Sequence, residues 1–96
     1  MYGTIAKLKV KPGMVPELIK LTSEEDMGGM AGFVNTIVYQ MDANPNELYM
    51  VVLFTDKDAY VKNANDPAQD TRYHEFVKYL DGEPEWHDGE IIYNRK

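Results

Sequence analysis

From Tyr2 to Val10 the even positions Tyr2, Thr4, Ala6, Leu8 and Val10 make one apolar side, against Gly3, Ile5, Lys7 and Lys9 on the odd side. That period of two predicts a first strand. After the break Lys11-Pro12-Gly13, residues Met14, Leu18 and Leu21, flanked by Val15 and Ile19, recur at helical spacing and predict a helix from about Val15 to Asp26. Pro16 suits its first turn, where no backbone N–H is needed, and the glycine-rich segment Met27 to Gly32 ends it. Phe33 to Gln40 is β-branched and aromatic and closes on the turn residues Asp42-Ala43-Asn44-Pro45-Asn46, which predicts a second strand. Leu48 to Phe54 is a third strand, and it is apolar on both alternating sets: Leu48, Met50, Val52 and Phe54 against Tyr49, Val51 and Leu53. Both of its faces must therefore be covered. Thr55 to Asp58 supplies N-cap residues for a short helix carrying Ala59, Tyr60 and Val61, which Asn65-Asp66-Pro67 interrupts. Tyr73, Phe76, Val77 and Leu80 then form one apolar stripe on a second helical piece that Asp81-Gly82 stops, and Glu90 to Tyr93 reads as a fourth strand beginning near Glu85.

The order is strand, helix, strand, strand, helix, strand, a single domain over residues 1–96. It predicts an α+β, ferredoxin-like βαββαβ fold: a four-stranded antiparallel sheet with the helices on one face and the first and third strands central. Helices cover one face only, so the residues pointing away from them need another layer. A homodimer packed sheet to sheet is the economical solution. Lys7 and Lys9 would then lie toward that contact, with their stems buried and their ammonium groups reaching water or partner carboxylates.

Charge and composition narrow the function classes. Ten Lys plus Arg against sixteen Asp plus Glu give a net charge of -6, which repels phosphate backbones and anionic surfaces, so no nucleic-acid partner is expected. No apolar run approaches the roughly 20 residues that span a bilayer, so no membrane partner is expected. The first residues already alternate as a strand, with no leader pattern, and the expectation is a cytoplasmic protein. The absence of cysteine excludes disulfides, thiolate nucleophiles and Cys-zinc sites.

Three stretches resemble the antibiotic biosynthesis monooxygenase-like proteins of the dimeric α/β-barrel superfamily. They are KPGM (Lys11 to Met14), ELYMVVLFTDKDAY (Glu47 to Tyr60) and NANDPAQDTRYHEFVKYLDGEPEWHDGE (Asn63 to Glu90). Relatives of this kind include cofactor-free oxygenases of polycyclic phenols and quinones, quinol-modifying enzymes and haem-degrading enzymes, with the site in a cleft between sheet and helices. The haem-degrading pattern of a first-strand Asn, a third-strand Trp and a second-helix His meets Lys7, Phe54 and His74 here, so haem degradation is not expected. The resemblance implies a monooxygenase or quinol-modifying enzyme that needs no cofactor and binds a small aromatic molecule. In that reading Asn35 orients the substrate oxygen, His74 assists deprotonation of a phenol, and Tyr39, Tyr60 and Tyr73 wall the pocket.

The residues themselves leave alternatives open. His74 lies about 100° around from Tyr73 on the helix, where it lines a cleft or pairs with Asp70 one turn earlier. Phe33, Tyr39, Tyr60, Tyr73 and Phe76 form an aromatic pocket or plain core. Asn35, read as sharing a face with Phe33, Ile37 and Tyr39, binds a ligand carbonyl or joins an internal network. Trp86 and His87 are adjacent on a strand and so face opposite ways, which argues against one acid–base pair and for structural or interface packing. No HExxH or HxH spacing supports a metal, no phosphate-binding glycine loop is present, and Ser23 is the only serine. A non-enzymatic dimer that binds a small molecule, or a stress-related module, remains the alternative function.

Overall fold

The structure is a computed structural model and describes residues 1–24 and 30–95. The chain order is β1 (Tyr2–Lys9), α1 (Val15–Glu24), β2 (Phe33–Gln40), β3 (Glu47–Phe54), α2 (Lys57–Ala64), α3 (Pro67–Val77) and β4 (Glu85–Glu90). All strand pairs are antiparallel in the order β2-β3-β1-β4, so the two apolar strands are central as the pattern requires. The fold is the expected ferredoxin-like one, with three helices among the described residues. The second helical region is two helices because Pro67, lacking an N–H, starts α3 instead of continuing α2. Each is separately capped: Asp56 accepts from Ala59 N at 2.8 Å and Asp66 from Ala68 N at 2.9 Å. The expected end of the first helix at Asp26, and the glycines at 28 and 29, lie outside the described residues.

The core sits on one face of the sheet. Ala6, Leu8 and Val10 of the first strand and its extension meet Leu48 and Met50 of β3, Leu18 of α1, Phe76 of α3 and Leu80. Leu80 lies beyond the end of α3 and joins this core through a β-bridge to Val10. The even side of β1 is thus the buried one, and Ile5 on the odd side stays 48% exposed.

Two local departures from the expected pattern decide where side chains point. In β2, Phe33 pairs with Phe54 but Asn35 pairs with Leu53, so one extra residue is inserted between them. This β-bulge turns Phe33 toward the helices, with Thr36 and Val38, and turns Asn35, Ile37 and Tyr39 to the open side. In β4 the pairing starts with Lys7↔Glu85 and ends with Tyr2↔Glu90, so the strand is Glu85–Glu90 and does not extend to Tyr93. Ile91 N still donates to Met1 O at 2.8 Å, and Ile92 and Tyr93 are exposed.

Candidate functional site

Strand register builds the floor of the site. Direct partners across antiparallel strands share a face, so Thr36, Val52, Thr4 and Asp88 form one row across all four strands on the helix side. Val38, Met50, Ala6 and Trp86 form the next row, and Phe33, Phe54, Tyr2 and Glu90 the row on the other side. Above these rows, between the sheet and α2 and α3, lies a cleft of about 480 Å³. That is within the roughly 300–1,000 Å³ of small-molecule sites.

Its walls are aromatic at both ends. Tyr60 lies 5.3 Å from Tyr2 and 5.7 Å from Phe54 between ring centroids, and Phe54 meets Phe33 edge-on at 6.0 Å. At the other end Trp86 and Tyr73 are 6.4 Å apart, and Phe76 also lines the cleft. Such rings bury area with little loss of side-chain freedom and suit a flat ligand. Polar groups line the space between: Asn63, Gln69 and Arg72 from the helices, and Thr4, Thr36 and Asp88 from the floor. Arg72 is held by Gln69, which accepts from its Nη2 at 2.9 Å and its Nε at 3.2 Å.

The electrostatic centre of the floor is one pair. Tyr60 donates its hydroxyl to Asp88 Oδ1 at 2.8 Å. Burial, reinforced by that carboxylate, pushes the Tyr60 phenol up from 10.0 to about 12. The Thr4 hydroxyl acts the other way, near enough to favour the phenolate but outside hydrogen-bonding geometry. Neither Thr4 Oγ1 nor Thr36 Oγ1 has a hydrogen-bond partner among the described residues, although both atoms are buried.

Of the residues singled out from the sequence, Tyr60, Tyr73 and Phe76 line this cleft, and Phe33 stands behind Phe54. His74 does not line it. Its side chain is 68% exposed, and Nδ1 lies 3.6 Å from Asp70 Oδ2, one helical turn away. Asn35 and Tyr39 are on the opposite face of the sheet, where the bulge sends them, with Tyr39 53% exposed. Trp86 and Asp88, by contrast, reach the cleft from the edge strand: residues two apart on a strand share a face, and the pairing with Ala6 and Thr4 shows that it is the helix side. His87 is on the open side beside Ile5, and Glu85 Oε1 lies 3.0 Å from its Nε2. No cluster of metal-ligating side chains occurs among the described residues.

The sequence profile described as antibiotic biosynthesis monooxygenase matches residues 1–75. The chain belongs to that family. No curated protein matches the chain. Among solved structures, a conserved protein from Methanosarcina mazei is 24% identical, with 92% of this chain and 89% of that one covered and a TM-score of 0.79. A variant of SnoaB, a cofactor-independent oxygenase from Streptomyces nogalater, superposes with a TM-score of 0.84 at 13% identity, covering 97% of this chain and 94% of that one. A protein described as an antibiotic biosynthesis monooxygenase gives a TM-score of 0.77 at 12% identity, with 96% of this chain and 99% of that one covered. At these identities the superpositions show a shared fold. The profile match supports the family of monooxygenases for the chain and ends within α3, before Trp86 and Asp88. No helix among the described residues is long and apolar enough to cross a membrane.

Proposed function

We propose that this antibiotic biosynthesis monooxygenase family member is a cofactor-independent monooxygenase, or quinol-modifying enzyme, acting on a small phenolic aromatic in the cleft between sheet and helices. The observation that carries the reading is the cleft itself: aromatic at both ends, polar along its floor, and sized for a small ring system. Tyr73, Phe76 and Trp86 hold the ring, and Tyr60 with Asp88 engages a ring oxygen. An electron-rich phenolate gives an electron to dioxygen directly, and one oxygen atom enters the ring as a carbonyl while the other leaves as water. The ring supplies the electrons and both hydrogens, so the chemistry requires no cofactor. The relative SnoaB, described as a cofactor-independent oxygenase, supports this chemistry for the fold.

The same reading takes the protein as a cytoplasmic homodimer packed through its open sheet faces. Ile5, Ile37 and Tyr39 are each at least two-fifths exposed there, next to half-buried Tyr49, Val51 and Leu53. An apolar area of that kind favours a covering layer. Lys7 is compensated within its own chain by Glu47 at 3.8 Å, which eases its placement near such a contact.

The test is oxygen consumption by the purified protein against a panel of hydroquinones and polycyclic phenols, repeated with Trp86→Ala. Turnover that falls at least several-fold in the folded variant supports the reading. If no phenol of the panel is turned over, the oxygenase reading fails; ligand-induced rises in melting temperature would then point to a binding module.

A further inference from the structure

The two orphan hydroxyls on the cleft floor are unusual for a folded chain. A buried hydroxyl without a partner forfeits its hydration with nothing in return, so such groups are rare unless something else satisfies them. Thr4 is only 4% exposed and leaves its Oγ1 unpaired, and Thr36 does the same two strands away in the same row. Both line the cleft. In that row Asp88 is the direct neighbour of Thr4, and among the described residues only its Oδ1 is engaged, by Tyr60. A carboxylate has room for further donors on its second oxygen.

We infer that the row Asp88, Thr4, Val52, Thr36 is an oriented recognition strip for a planar ligand with a hydroxyl at one edge and a carbonyl oxygen at the other. The ligand hydroxyl donates to Asp88 and accepts from Thr4, and the carbonyl accepts from the Thr36 hydroxyl. Val52, between the two threonines, supplies an apolar bed for the ring face. The spacing fits. Three strand separations put the Asp88 and Thr36 backbones roughly 14 Å apart. Side-chain reach and two hydrogen bonds of about 2.8 Å leave a gap filled by a two-ring body. The strip also explains the polarity of the floor: acceptor at the edge strand, donor at β2. It rests on the cleft of the proposed function but not on its oxygen chemistry.

The sole tryptophan of the chain, Trp86, lies in the cleft wall one row from Asp88 and Thr4, so its fluorescence reports occupancy without turnover. The probes are a hydroxytetralone with the hydroxyl on the ring opposite the ketone, its methyl ether, and the tetrahydronaphthol that lacks the ketone. None requires oxidation to bind. In the wild type, the hydroxyketone should bind about 3- to 10-fold more tightly than either partial analogue, the range expected for one hydrogen bond. Thr36→Val should erase the advantage over the tetrahydronaphthol, and Asp88→Ala the advantage over the ether. Thr4→Val should weaken the hydroxyketone several-fold while leaving the melting temperature of the free protein equal or higher, because it removes an unsatisfied hydroxyl. Equal affinities for all three probes would overturn the strip. So would a Thr4→Val protein that is less stable without ligand, since the hydroxyl would then have an internal partner. Selective binding without oxygen consumption on the phenol panel would uphold the strip and refute the oxygenase; turnover with no effect of either Thr→Val change would do the reverse.

Discussion

The Tyr60 phenol offers a quantitative check on the floor of the cleft. Its proton is held by burial first and by the hydrogen bond to Asp88 second, raising the titration from 10.0 to about 12. The folded chain therefore keeps a proton that the unfolded chain releases, and above the unfolded value the folded state binds more protons. Stability is fully present below pH 10.0 and is lost as pH rises toward about 12. Two pKa units correspond to at most roughly 3 kcal/mol. The ring keeps partial contact with water, so solvent screening reduces the expected loss to on the order of 1 kcal/mol. The assay is tyrosinate absorbance during alkaline titration of the wild type and Tyr60→Phe, whose difference isolates one of the seven tyrosines. The difference curve should have its midpoint near 12. In Asp88→Asn the Tyr60 midpoint should fall part of the way, because the larger cause, burial, remains. A wild-type midpoint at the ordinary tyrosine value, or a rise in Asp88→Asn, would refute the geometry of this pair.

Other perturbations probe the scaffold and the unused surfaces. Leu8→Ala empties a fully buried position between the sheet and helices and should cost about 2–5 kcal/mol in urea unfolding. Gly32→Ala should cost at least 1–2 kcal/mol, since its φ of +79 disfavours a side chain and the new Cβ would strike that of Ala59. Gly13→Ala, with φ of +81 and open space, should lose less than Gly32→Ala in the same melts. Ile37→Asp places a charge on the open sheet face, and sedimentation should show the proposed dimer shifting to monomer while cleft ligands still bind. His74→Ala, outside the cleft, should change the affinity for the hydroxytetralone probe less than twofold.

The alternation of β1, the doubly apolar β3, the cap before α2 and the proline break before α3 carried the fold because each is a local pattern with a local cause. Hydrophobic side chains at period two or 3.6 make the same face whatever their partners. Tyr60, Tyr73 and Phe76 were legible for the same reason, as apolar positions of helices that must face a sheet. Asn35 and Tyr39 were not. A single inserted residue reverses every side chain beyond it, and nothing in FVNTIVYQ marks the bulge.

Trp86 and Asp88 show the complementary limit. Residues two apart on a strand share a face, but only the pairing of that edge strand with β1 decides that the face is the helix side and that Asp88 falls beside Thr4. The sequence by itself determined the elements, their order and the family, because these follow from periodicity and local motif. Tertiary structure alone decided which polar side chains share the cleft, because register between strands distant in the chain is set by packing and backbone hydrogen bonds that no local pattern encodes.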